Sequence, residues 1–145
     1  MTRPNVQENA IRARIERETG HRLRRISSPP GFADFLCQAH ENCWIEVKAN
    51  GDAPAEVQKK TWNAMVAALH EVFIVYARVR KGIVEETTTV RWSETSQGTA
   101  SQLRIGYDRI WASDARHYAV YLGAVRRVAL NGGRMPAYEP PPEAR

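Results

Sequence analysis

Hydrophobic and polar positions change period several times along this chain, and each change predicts an element. After Asn5, a suitable N-cap, Val6, Ala10, Ala13 and Ile15 recur at helical spacing as far as Thr19, where Gly20 supplies a stop. His21 to Ile26 is a short strand with four basic residues in six. Ser27 to Gly31 is a loop by composition. From Asp34 to Cys37 and again from Cys43 to Lys48, polar residues alternate with aromatic and β-branched ones, the mark of half-buried strands. Asp52 to Pro54 opens a helix that reaches about His70, with Val57, Trp62, Met65, Val66 and Leu69 as its apolar stripe. Val72 to Ala77 is the most hydrophobic run and reads as a fully buried strand after a crossover helix, which requires a parallel neighbour.

The last third is less patterned. Gly82 to Trp92 predicts one or two strands, Ser93 to Gly98 an exposed loop, and Leu103 to Tyr107 a short strand. A helix capped at Ser113 runs to about Asn131, with Ala115, Tyr118, Ala119, Leu122, Val125 and Ala129 on one stripe and Arg116, Arg126 and Arg127 off it. The predicted class is α/β: one domain over residues 1–135, with a mixed central sheet flanked by helices (core about 5–80, a C-terminal helical extension about 81–135) and a flexible Pro-rich tail over 136–145.

The strand pair at 34–48 carries the chemistry. A turn centred on His40 places Asp34 opposite Glu46, and the period of two puts Glu46 and Lys48 on one face. Phe35, Cys37, Cys43, Ile45 and Val47 then form an apolar face, leaving two carboxylates and an ammonium on the other. Mg²⁺ or Mn²⁺ takes oxygen ligands and keeps several waters, so two carboxylates are enough protein ligand. Such an ion polarises a phosphoryl oxygen and activates water, and a nearby lysine can orient that water, act as its base, or offset developing charge. The same three residues also fit a solvated cross-strand ion network.

Asp34, an eleven-residue gap and Glu46-Val47-Lys48 resemble the PD-(D/E)XK nuclease superfamily, most closely its VRR-NUC and Holliday-junction-resolvase-like branch. Ala33 stands where many relatives have proline, with Pro29 and Pro30 upstream. The resemblance covers roughly residues 5–80 and implies a restriction-endonuclease-like core. It implies Asp34 and Glu46 as metal ligands with the Val47 carbonyl, Lys48 on the water, and a glutamine of the following helix, Gln58, positioning the lysine or phosphate. It also implies a first-helix glutamate, Glu8, as metal or water ligand; Glu8 serves equally well as a favourable charge near a helix N-terminus.

Charge points the same way. The net charge of +5 favours a polyanionic partner, DNA more than RNA on the resemblance. Arg22, Arg24 and Arg25 form a natural phosphate-contacting ridge, and Lys59 and Lys60, near the start of the second helix, are further nucleic-acid-binding candidates, although basic edge strands also serve simply to deter aggregation. At 43% hydrophobic and 26% charged residues the chain has ordinary globular composition, with no apolar run of about eighteen residues and no apolar leader at its start. A cytoplasmic location follows, where Cys37 and Cys43, facing each other across the hairpin, stay thiols. Cys37, His40 and Cys43 are one ligand short of a zinc site.

The expected activity is Mg²⁺-dependent endonucleolytic cleavage of DNA, branched or structured DNA included. A homodimer and a protein partner at the C-terminal extension are further expectations. The alternative is a non-catalytic protein on the same scaffold, such as a phage-type inhibitor or accessory subunit.

Overall fold

The computed structural model describes residues 6–26, 33–40, 42–92, 102–105, 108–111 and 115–133. The predicted loops at 27–31 and 93–98, the Asn5 and Ser113 caps and the 136–145 tail lie outside them.

Five strands form one mixed sheet in the order β1 (Leu23–Arg25), β2 (Phe35–Cys37), β3 (Cys43–Ala49), β4 (Glu71–Arg80) and β5 (Ile83–Trp92). All neighbours are antiparallel except β3 and β4, which run parallel. Helix α2 (Glu56–Ala67) makes the connection between those two, as the apolar run at 72–77 required. Helix α1 (Val6–Thr19) precedes β1. A separate hairpin of β6 (Gln102–Ile105) and β7 (Asp108–Trp111) lies between β5 and the last helix, α3 (Ala115–Leu130). The α/β class is therefore established, and no helix among the described residues is long and apolar enough to cross a membrane.

Each face of the sheet has its own core. Ile11 of α1 packs with Leu23, Phe35, Cys37, Ile45, Val47, Val75, Ala77 and Val79. Leu36, Trp44, Val72 and Ile74, on the opposite face, pack with Trp62, Ala64 and Met65 of α2 and with Tyr118, Leu122, Val125 and Ala129 of α3. The predicted apolar side of the 34–48 hairpin is thus the α1 side. The charged side is covered too, because Trp44 and Leu36 interleave with the charged positions and bring helices down on it.

Several local readings change. The segment read as a C-terminal extension supplies α3 to the main core, so packing does not break near residue 80. In α1 the fully buried residue is Ile11, whereas Val6 is 48% exposed. Helix α2 ends at Ala67, and Leu69, expected in its stripe, is 83% exposed with φ +68°. A left-handed residue there turns the chain out of the helix. The following His70 is buried. The expected strands at 82–92 are one ten-residue strand. Lys81 and Gly82, with φ +53° and +77°, form the two-residue link from Arg80 to Ile83. Two positive φ values fit the twist of a tight hairpin.

Candidate functional site

The hairpin register is the one the alternation demanded: Phe35 pairs with Ile45 and Leu36 with Trp44. Asp34, one step beyond β2, then falls opposite Glu46. It is fixed from two sides, its carbonyl accepting from Ile26 N–H at 2.9 Å and its Oδ2 from Val47 N–H at 3.0 Å. In an extended strand the N–H and C=O of one residue project from the same edge, so the Val47 carbonyl also points to the Asp34 side.

Glu46 is 4% exposed, unusual for a carboxylate. Three neighbours account for it. Gln58 Nε2 donates to Glu46 Oε2 at 2.6 Å, Lys48 Nζ lies 3.3 Å from the same oxygen, and the Asp34 carboxyl shares a hydrogen bond with it. Gln58 Oε1 in turn accepts from Lys48 Nζ and from Ala55 N–H, both at 2.9 Å. A glutamine in the first turn of α2 therefore caps its own helix and ties both charged residues of β3 together. The spacing is local in origin. Glu46 and Lys48 share a face by the strand period, and the short link from β3 returns the start of α2 over that face.

Electrostatics mark this spot as costly. Burial pushes the Glu46 carboxyl up to about 8, helped by the adjacent Asp34 charge and opposed by Lys48. Burial also raises Asp34, opposed by the Val47 hydrogen bond, while the Glu8 charge adds to the rise. The two carboxyls lie side by side in a desolvated place with one ammonium against Glu46, which disfavours charging both. Such a pair of adjacent oxygen donors would fit a hard divalent cation. Among the described residues no three His, Cys, Asp or Glu side chains gather to hold a metal ion. The oxygen donors the site offers are the two carboxylates and the Val47 carbonyl.

The remaining sequence-selected residues divide. Glu8 does not join the two carboxylates; Arg25 Nη1 holds its Oε2 at 2.7 Å, and only its charge reaches Asp34. The arginine ridge is split between the two sheet faces by the strand period. Arg25 turns to the α1 side, bonds Glu8 and Asn9, and lies 4.9 Å over the Phe35 ring. Arg24 is half-buried with its guanidinium near Gly132, and Arg22 is exposed. Lys59 pairs with Glu56 at 3.2 Å, and Lys60 is exposed. Cys37 and Cys43 are free thiols, and burial pushes Cys43 up to about 12.

Two features beside the site were not read from the sequence. Tyr76 pairs with Lys48 across the parallel strands and, with Asn50, Gly51, Ala77, Arg78, Glu86 and Thr88, lines a cleft of about 380 Å³. Asn50, in the left-handed conformation (φ +53°), accepts from Val79 N–H at 2.8 Å and so fixes the turn after Lys48. The Asn50-Gly51 pair signalled the turn. Nothing in sequence spacing signalled Tyr76, whose ring lies within a uniformly apolar run.

No protein-family model matches the chain, and no curated protein or solved structure is significantly similar to it.

Proposed function

We propose that this protein is a metal-dependent nuclease that hydrolyses DNA phosphodiester bonds, built on a restriction-endonuclease-like arrangement of β1 to β4 and the flanking helices. The observation that carries this reading is the convergence of Asp34, Lys48 and Gln58 on the buried Glu46, with Gln58 tied to Glu46 at 2.6 Å and to Lys48 at 2.9 Å, and Asp34 fixed by Val47 N–H at 3.0 Å. A surface ion network of the ordinary kind leaves its carboxylates solvated. Here burial raises both carboxyls, which is unfavourable for the isolated protein and suits a site whose ligand brings positive charge.

Asp34 and Glu46 hold the ion, with the Val47 carbonyl directed to the same side. When bound, Mg²⁺ or Mn²⁺ supplies Lewis-acid polarisation of the phosphoryl group and a more acidic water. Lys48, held by Gln58 Oε1, orients the attacking water and offsets charge that develops on the phosphoryl oxygens. Gln58 keeps Lys48 and Glu46 in fixed separation, so their geometry does not depend on substrate. Arg22 and Lys60, both exposed, are available to phosphates on either side of the site. The free thiols suit a cytoplasmic setting.

The test is cleavage of single-stranded, duplex, flap and four-way DNA substrates, and of RNA, with Mg²⁺, with Mn²⁺ and with chelator. Metal-dependent cutting that Lys48→Ala removes supports the reading. Binding without cutting of any substrate, retained in Lys48→Ala and Glu46→Gln, replaces it with the non-catalytic alternative.

A further inference from the structure

The helical cover over the Glu46 face of the sheet ends at one row of side chains. Register partners share a face, so β3 sends Trp44, Glu46 and Lys48 to this side and β4 sends Val72, Ile74, Tyr76, Arg78 and Arg80. Trp44, Val72 and Ile74 are fully buried in the core shared with α2 and α3. Lys48 and Tyr76 are half-buried, and Arg78 and Arg80 are exposed. Lys48 and Tyr76 therefore stand side by side where the cover stops, on strands about 4.8 Å apart. Tyr76 packs against that core and also lines the cleft of about 380 Å³ that opens next to it. The buried positions before it on β4 take aliphatic side chains, and the aromatic ring comes at the row where the face opens.

Charge divides this cleft from the site beside it. The guanidinium that lines the cleft, Arg78, is already balanced by Glu86 at 3.3 Å and Glu85 at 3.6 Å. Asn50 gives its Oδ1 to Val79 N–H, and Thr88 brings only a neutral hydroxyl. Nothing in that lining favours an anion, whereas a tyrosine ring with neutral polar groups around it suits a planar, uncharged one. Lys48, one strand away, is the ammonium that meets a phosphoryl group on the nuclease reading. A cationic point and a neutral aromatic hollow at that separation match the two ends of one nucleotide. We propose that Tyr76 stacks on an unpaired nucleobase of the strand whose phosphate lies at Lys48, which makes the cleft a nucleoside subsite. The position of the phosphate rests on the nuclease reading.

Stacking on an aromatic ring is open to every base, since each has a π face, so the subsite confers little sequence preference. The preference it confers is structural. A base inside a duplex is paired and stacked, and it must leave both neighbours to reach Tyr76. A flap, a frayed end or a single strand has no such cost. Tyr76 is then a specificity-determining residue that selects an unpaired nucleotide beside the reacting phosphate.

The test is binding of a single-stranded oligonucleotide to the full chain in chelator, with a blunt duplex of the same sequence as control. Tyr76→Phe keeps the ring and should bind the strand within about twofold of the wild type. Tyr76→Leu keeps apolar bulk without the ring and should bind it at least about fivefold more weakly. Neither should change the slope of log affinity against log salt, because no phosphate contact is lost. Affinity for the blunt duplex should be the same in all three. With iodouracil in the strand, ultraviolet light should link the wild-type protein at Tyr76, and this decides the matter if circular dichroism shows Tyr76→Leu unfolded. A wild type that does not bind the strand, or unchanged binding by a folded Tyr76→Leu, overturns the subsite. So does a crosslink at another residue; if the wild type still cuts DNA, the nuclease reading stands without the subsite. A crosslink at Tyr76 in a protein that cuts no substrate supports the subsite and overturns the nuclease. Displacement of the strand by an equal concentration of free nucleoside monophosphate assigns the cleft to free nucleotides and overturns the strand as its occupant.

Discussion

Gln58 Nε2 donates to Glu46 Oε2 at 2.6 Å while its Oε1 accepts from Lys48 Nζ at 2.9 Å, so one amide spans the carboxylate and the ammonium two residues apart on β3. An amide suits the place because it is donor and acceptor at opposite ends. On the nuclease reading, Gln58→Ala should lower cleavage turnover roughly tenfold to hundredfold, because Lys48 loses its fixed direction while the two proposed metal ligands remain. Lys48→Ala should lower it by about a thousandfold. Single-turnover rates at saturating Mg²⁺ separate the two effects from substrate binding. Equal loss in both variants would make Gln58 more than a positioning residue.

A second expectation concerns stability and pH. The Glu46 carboxyl rises from an ordinary 4.5 to about 8 on folding. Between those values the folded chain keeps a proton that the unfolded chain has lost, so stability falls as pH rises. This contribution is fully present below about 4.5 and is lost as pH climbs through about 8. Urea unfolding at pH 5 to 8.5 in chelator should show the decline, at up to about 1.4 kcal/mol per pH unit. Glu46→Gln, which keeps a hydrogen-bonding neutral group, should flatten it. Mg²⁺ should restore stability in the wild type above neutrality and do little for Glu46→Gln.

His70 works in the opposite sense. Trp44 Nε1 donates to His70 Nδ1 at 2.9 Å, and indole nitrogen is a donor only, so this imidazole is neutral in the folded chain. Burial lowers it from 6.5 to about 4. The unfolded chain binds the proton first, so stability drops as pH falls from about 6.5 through about 4. The loss should be on the order of 3 kcal/mol, accompanied by a change in tryptophan fluorescence as Trp44 loses its acceptor. His70→Phe should remove the acid limb of the profile. A limb that persists would place its origin elsewhere.

Much of the site could be read from residues 34–58, and the reason is periodicity. A strand repeat of two fixes which residues share a face, and the turn centred on His40 fixes the register, so Asp34, Glu46 and Lys48 came together from spacing alone. The position of Gln58 came from resemblance. Burial of the charged face did not follow from spacing, because it depends on how α2 and α3 share one core with Leu36 and Trp44. Arg25 was grouped with Arg22 and Arg24 by sequence proximity, whereas strand alternation sends it to Glu8 and Phe35. Leu69 fitted a helical stripe, and only the backbone turn at its φ of +68° takes it into solvent.

The split of the arginines yields the last expectation. If Arg22 and Arg24 contact phosphates, each contact releases condensed counterions, and the slope of log affinity against log salt should fall by about 0.9 for each one replaced. Arg25 is committed to Glu8 at 2.7 Å, to Asn9 at 3.0 Å and to the Phe35 ring. Arg25→Ala should leave the slope unchanged and instead lower stability by roughly 1–3 kcal/mol, since the Glu8 carboxylate loses its charged partner. Fluorescence anisotropy of labelled duplex DNA between about 50 and about 200 mM salt, in a Lys48→Ala background to prevent cutting, measures the slopes. Urea unfolding of the same variants measures the stabilities. A slope lowered by Arg25→Ala as much as by Arg22→Ala would mean that Glu8 releases Arg25 to the phosphates when nucleic acid binds, and that the α1 clamp opens in the complex.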